Sequence, residues 1–320
     1  MNKKMKAIVL KEAVEIKDIN INEIEIPGVS PGWVLIKVKA FGMNHSELIL
    51  RKEEIKYNYI KNPVIPGIEA VGEIVDPSDS DFKTGDKVIA MMGGMGRSFD
   101  GSYAEYALVP SHHLFKIDSD LTWEELGAIP ETYFTAWGSL FESLNLKADD
   151  SLLIRGASCA LGYAAIQIAK ALDCKVTATT HKEKYLKALS EADEVLLDDG
   201  KLTGKVSGIN KILDLVGPKN LLDSLTAVDK GGIVCQTGIL GGIYSLNNFD
   251  PIKDIPNGVY LTGFYSNYPT QGTVNDMFSF FNKHNLKPHY GPVYKFSNIK
   301  EAMQMQESGK AGGKIIVLME

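Results

Sequence analysis

The sequence predicts an α/β protein: a mostly β first part, then a doubly wound parallel sheet. Three observations predict it. Short β-like runs broken by Gly, Pro and Asp fill the chain from Met5 to about Ile117. From about Leu121, short apolar strands alternate with helical segments, which implies a parallel sheet with right-handed crossovers. Within that second stretch a turn of small residues, Gly156–Gly162, joins an apolar strand to an Ala-rich helix.

In the first part, Lys6–Leu10, Val34–Ala40, Glu69–Asp76, Asp86–Met91 and Tyr103–Val109 read as strands, and Asn44–Lys52 as a short helix. Pro27-Gly28, Pro31-Gly32, Pro66-Gly67 and Gly85-Asp86 are turn signals between them. Leu121–Ala128 and Thr132–Leu144 read as helices leading into the second part. There Ser151–Arg155 is a strand, and Ala160–Leu172 a helix with apolar residues at helical spacing. Lys175–Thr180 is a strand and Lys182–Ser190 a helix. Val195–Leu197, Lys211–Leu215 and Gly232–Gln236 are further strands with helices between them, and Val259–Phe264 is the last. Helices Gly272–His284 and Asn298–Ser308 and a terminal strand, Lys314–Met319, follow. That strand has no place in the parallel sheet, so the chain is expected to return to its first domain. The expected domains are 1–121 completed by 267–320, and 122–266.

Composition narrows the function classes. A net charge of -6 over 320 residues, with 44% hydrophobic and 23% charged, is that of an ordinary soluble globular protein. The acidic balance argues against nucleic-acid or anionic-membrane partners. No apolar run is long enough to span a bilayer. The first residues run into the charged stretch Lys11–Asp18 without the apolar core of a signal peptide, which predicts a cytoplasmic protein. Cys159, Cys174 and Cys235 contain no CxxC pair, so they form neither a disulfide framework nor a four-cysteine zinc site.

The turn Gly156-Ala157-Ser158-Cys159-Ala160-Leu161-Gly162 carries the chemistry. A pyrophosphate must approach backbone N–H groups at a helix N-terminus, and large side chains would block it. Ala157 and Cys159 replace two glycines of the usual fingerprint and only Gly162 matches it, but small residues still permit close approach. An ordinary α/β turn with small packing residues would look similar. The next strand ends without an acid. Thr179, Thr180, His181, Lys182 and Lys184 stand there, and hydroxyls and cations suit a 2′-phosphate, so NADP(H) is favoured over NAD. Glu183 weighs against it, and lysines at a solvated helix start are the plainer reading.

On these residues the chain resembles the medium-chain dehydrogenase/reductase superfamily, and most closely its zinc-free quinone oxidoreductase branch, the zeta-crystallin-like proteins. The resemblance rests on Phe41–Glu47, Pro66–Gly72, Gly85–Val88, Gly101–Tyr106, Gly156–Gly162 with Ala164–Lys170, Asp214–Gly217 and Gly231–Val234, in this order and spacing. It implies a GroES-like, mostly β catalytic domain and a Rossmann domain. It also implies hydride transfer from NADPH to a quinone or an activated C=C bond, and a homodimer paired across sheet edges near Gly258–Phe264. In the zinc-dependent alcohol dehydrogenases the catalytic cysteine would fall near Asn44 and a metal histidine at Ile68, so only Glu69 remains of that triad and no metal is expected. Reduction of an enone gives a delocalised enolate that hydrogen-bond donors can stabilise without a metal.

The resemblance makes Asn44 a substrate or nicotinamide contact, while its residue type also suits a helix N-cap. It points to Tyr57 and Tyr59 as proton donors, against plain exposed packing. Thr135 is a contact on the nicotinamide side or a hydroxyl bonded to its own helix. Gly238, Ile239 and Leu240 and then Phe264, Tyr265 and Ser266 follow strands at the carboxyl edge of the sheet, where ligands bind in such folds. Core packing suits Phe264 better. Gly313 and Lys314 are read as approaching the cofactor phosphate from the other domain. His45 and Arg97 read as solvated. An enoyl-thioester reductase and a non-catalytic NADPH-binding protein are the alternative functions.

Overall fold

A computed structural model describes residues 3–320. Contacts divide the chain into two units, one running to Phe134 and resuming at Asn267–Glu320, the other Thr135–Ser266. The first unit thus extends past the expected boundary at 121, because helix Trp123–Gly127 packs on strands Trp33–Gly42 and Ile316–Leu318.

The first unit is built on a seven-stranded sheet. Its order is Val293–Lys295, Ile316–Leu318, Trp33–Gly42, Glu69–Asp76, Lys87–Met91, Leu114–Lys116, with Tyr106–Pro110 also paired to Trp33–Gly42. Trp33–Gly42 holds the centre because of its alternation. Val34, Ile36, Val38 and Ala40 are fully buried on one face, while Lys37 is exposed on the other. The carboxyl-terminal strand lies antiparallel to it, with Ile316 opposite Gly42. A separate hairpin pairs Lys4–Ile8 with Ile21–Glu25. Sequence reading missed Ile21–Glu25, whose side chains are mostly polar and exposed, and Leu114–Lys116 and Val293–Lys295, which are too short to show a period.

The second unit is a six-stranded parallel sheet in the order Glu194–Leu197, Lys175–Thr180, Ser151–Arg155, Lys211–Asp214, Ile233–Gln236, Tyr260–Gly263. Numbered along the chain this is 3-2-1-4-5-6, the doubly wound order. The order reverses between Ser151–Arg155 and Lys211–Asp214, and ligands bind at such a crevice. Three expected helices differ. Lys182–Ser190 is two short 3₁₀ turns, Glu183–Tyr185 and Lys187–Leu189, since only Leu189 offers a buried anchor. No helix joins Leu197 to Lys211, because Gly200, Gly204 and Gly208 all take left-handed backbone angles (φ 100°, 80° and 71°). The helix expected over Thr132–Leu144 begins at Pro130 and turns into a π-helix over Gly138–Ser143, where the Phe264 ring fills the space a Gly138 Cβ would need.

Candidate active site

In the second unit the phosphate-binding turn is held by main chain and short hydroxyls. Gly156 takes φ 79°. Its N–H donates to Thr179 Oγ1 at 3.1 Å, and the Ala157 N–H donates to the Thr179 carbonyl at 2.8 Å. Ser158 and Thr180 hydroxyls lie 2.9 Å apart. Helix Ala160–Ala171 then opens with Cys159 as its N-cap, its Sγ accepting from the Gly162 N–H at 3.4 Å. Burial pushes the Cys159 thiol up, away from thiolate reactivity. A Cβ at Gly162 would stand 2.1 Å from the Ala157 carbonyl oxygen. Gly162 is therefore required for the helix to close on the turn. Ala160 and Leu161 complete the first helical turn and stay half-exposed. Small residues, a left-handed glycine and a helix N-terminus at the sheet's reversal fit a dinucleotide pyrophosphate.

Two of the expected ribose contacts are spent elsewhere. Thr179 and Thr180 are fully buried, and their hydroxyls brace the turn. His181, Lys182 and Lys184 are exposed just beyond, with the Lys184 ammonium 4.6 Å from the Tyr185 ring centroid.

Under this turn sequence reading missed a charged centre. Arg155 ends its strand with 0% exposure. Its Nε and Nη2 donate to Asp198 at 2.8 and 3.2 Å, and Nη1 donates to Ser224 Oγ at 2.9 Å and lies 2.9 Å from Asp223. Asp214, opposite Arg155 in register, accepts from the Val216 and Gly217 N–H groups and the Ser224 hydroxyl, and burial pushes its carboxyl up. A guanidinium closing an otherwise apolar strand was the available signal.

In the first unit Asn44 precedes helix His45–Lys52 as its N-cap. Its N–H donates to Glu47 Oε2 at 2.7 Å, and its side-chain Nδ2 donates to Glu69 Oε1 at 3.0 Å. Lys314 donates to Asn44 Oδ1 and pairs with Glu69 Oε1 at 2.6 Å. The other Glu69 oxygen accepts from the Glu131 N–H at 2.6 Å. Lys314 and Glu69 are 3% and 0% exposed. Lys314 is therefore a buried partner of Glu69, since an unpaired carboxylate there would be too costly. A Cβ at Gly42 would lie 2.2 Å from Lys314 Cε, so this glycine makes room for the pair. Glu47 accepts from the Ile68 N–H at 3.1 Å, and burial pushes its carboxyl up to about 7 against the pull of Lys314.

The remaining expected residues divide. Tyr57 and Tyr59 are exposed and stacked, with ring centroids 5.8 Å apart, and partial desolvation and then the Glu54 carboxylate raise the Tyr59 phenol. Arg97 is half-buried, paired with Glu54 at 2.8 Å and bonded to the Ser46 carbonyl; His45 is exposed. Thr135 is buried, its carbonyl accepting from Ser139 Oγ at 2.7 Å. Gly238 packs against the Leu215 backbone, where any Cβ would collide, and Ile239 is half-buried. The Leu240 N–H donates to the Leu215 carbonyl at 3.0 Å and leaves its side chain exposed. Phe264 packs on Gly138, Tyr265 is exposed and Ser266 buried. Gly313 lies against the Tyr290–Gly291 backbone.

The donors around Asn44 do not suit a zinc ion. Asn44 presents an amide, Ile68 an aliphatic chain, and Glu69 is taken by an ammonium. Among the described residues no three His, Cys, Asp or Glu side chains gather into a metal-holding group. No described helix is long and apolar enough to cross a membrane.

Family models agree with this architecture. Residues 30–119 match the alcohol dehydrogenase GroES-like domain, and residues 190–317 match the zinc-binding dehydrogenase domain. Human quinone oxidoreductase is 31% identical over 314 residues, covering 93% of this chain and 92% of that protein. The structure of quinone oxidoreductase from Coxiella burnetii superposes with a TM-score of 0.82 at 20% identity, covering 99% of this chain and 100% of that one. Bacillus subtilis protein yhfP, solved with NAD bound, superposes at 0.85 with 24% identity and 99% coverage of both chains. A parallel sheet in 3-2-1-4-5-6 order, a small-residue turn at its reversal and this match along nearly the whole chain place the protein in the medium-chain dehydrogenase/reductase superfamily of oxidoreductases, in its quinone oxidoreductase, zeta-crystallin-like branch.

Proposed function

We propose that this protein is an NADPH-dependent reductase that passes hydride to a quinone or to the activated C=C bond of an α,β-unsaturated carbonyl without a metal ion. The observation that carries the reading is the phosphate-binding turn followed by His181, Lys182 and Lys184 where an NAD enzyme would want an acid. The N–H groups at the start of helix Ala160–Ala171 bind the pyrophosphate, and the exposed cations bind the 2′-phosphate. Bound NADPH supplies the hydride. Within the first unit Lys314 offsets the Glu69 charge and fixes the Asn44 amide. Water supplies the closing proton in this reading, since its surroundings raise the pKa of the Tyr59 phenol and make it a weaker acid. The supporting relatives are named as quinone oxidoreductases. We further read the protein as a cytoplasmic homodimer joined through the edge strand Tyr260–Gly263, which light scattering tests.

Steady-state oxidation of NADPH with a quinone and with a simple enone tests the activity. Turnover of either is expected. Binding of NADPH without turnover would make this a non-catalytic nucleotide-binding protein. A strong preference for long acyl thioesters would make it an enoyl-thioester reductase. Stoichiometric zinc in the purified protein would overturn the metal-free reading.

A further inference from the structure

The buried Arg155 centre has no part in the chemistry above, yet it sits at the carboxyl end of the sheet beneath the turn. Asp198 follows the third strand of the parallel sheet, and its N–H donates to the Thr180 carbonyl at 2.8 Å. Its Oδ2 accepts from Thr179 Oγ1 at 3.4 Å, and the same Thr179 oxygen accepts from the Gly156 N–H. A carboxylate is thus lodged against the strand end that meets the adenosine ribose in this fold. Alone, it would repel a 2′-phosphate through protein of low dielectric, and would favour a plain ribose. It is not alone, because Arg155 engages both its oxygens. The same guanidinium offsets Asp223 at 2.9 Å.

We propose that Arg155 is a specificity-determining residue, buried and out of reach of the cofactor, that makes the ribose end of the sheet more permissive to a 2′-phosphate by offsetting the charge of Asp198. Its effect is one of charge. The exposed Lys182 and Lys184 attract the phosphate from outside, and Arg155 offsets part of the repulsion from beneath. The side chain also ties the turn to helix Leu221–Ala227 through Ser224, so its loss would have a structural cost as well. The two roles separate in the ratio of the cofactors. A purely structural role changes NADPH and NADH alike, whereas a charge role changes them unequally.

The proposal rests on the NADPH reading, so the wild-type protein is measured first, by calorimetry with NADPH and NADH. If it prefers NADH, that reading fails before any variant is made. Asp198→Asn removes the charge while its amide oxygen keeps one bond from Arg155; its amide nitrogen then faces a donor that the carboxylate had accepted from, a cost that falls on both nucleotides alike. It is expected to raise the NADPH over NADH preference several-fold. Arg155→Met is expected to lower that preference about tenfold. The double variant Arg155→Met with Asp198→Asn should return most of it, and its melting temperature shows that it folds. Equal losses of both nucleotides in Arg155→Met, or no movement of the ratio in Asp198→Asn, would overturn the proposal. Should Arg155→Met fail to fold, the Asp198→Asn ratio alone decides.

Discussion

The phosphate-binding turn of the second unit is assembled from one short run, Gly156–Gly162, braced by the neighbouring strand end Thr179–Thr180. The polar centre of the first unit draws Asn44 and Glu47, then Glu69, then Lys314, from segments far apart in the chain. The first is built from main-chain donors and the absence of side chains. The second is built from long side chains that must find one another in the core. The turn tolerates substitution among small residues, as Ala157 and Cys159 show. The charge centre tolerates little, because each member is paid for by its partners.

The largest expected effect falls on that centre. Lys314→Met should leave Glu69 buried without its cation and cost about 3–5 kcal/mol of stability. Adding Glu69→Gln should return most of the loss, as read by chemical denaturation of the single and double variants. An unchanged melting midpoint in Lys314→Met would mean the pair carries no weight, and the contrast between the two regions would fall. Glu47 gives the next effect. Burial raises its carboxyl from 4.5 to about 7 in the folded chain. The folded state therefore holds this proton more tightly than the unfolded state. The associated stability is complete below pH 4.5 and is lost as pH rises through about 7. The full span is about 3 kcal/mol. Glu47→Gln should flatten this pH dependence, measured as melting temperature across that window, while losing an acceptor for one backbone N–H at every pH. A variant with the wild-type slope would place the titration on another group.

For the turn the expected change is smaller and local. Gly162→Ala pushes a methyl group against the Ala157 carbonyl, and neither backbone segment can move freely. Nucleotide affinity should fall about tenfold or more with the charge centre of the other unit untouched. Calorimetry and the melting temperature together test it. A loss of stability with full affinity would make Gly162 a packing residue alone.

This contrast also explains what could be read from the sequence. The strands Glu69–Asp76, Ser151–Arg155 and Lys175–Thr180 came out residue for residue, because each is a buried apolar or β-branched run with a clear start and stop. The turn was readable for the same reason: everything that makes it is adjacent in sequence. The pairing of Lys314 with Glu69 went unseen because nothing local in the sequence ties the two together. The Arg155 centre went unseen because its partners, Asp198, Asp223 and Ser224, lie on later elements whose register only the folded sheet supplies. The helices wrongly expected around residues 182–210 share a cause. That stretch is polar and Gly-rich, with too few buried anchors to hold helical turns.

Tyr59 sharpens the comparison from the weakest end. Sequence resemblance offered it as the proton donor, a role that needs a hydroxyl able to release its proton near neutral pH. Its surroundings work the other way. Partial desolvation and the Glu54 carboxylate both raise the phenol above its ordinary value of 10.0. The ring is also largely exposed and stacked on Tyr57, so its packing is shared with a neighbour. Tyr59→Phe is therefore expected to change the turnover number by less than about twofold, with the pH profile unmoved. A loss of about a hundredfold or more, together with a shifted alkaline limb, would restore the phenol as the acid. Water would then no longer be the proton source, and the reaction would depend on a side chain from an exposed loop.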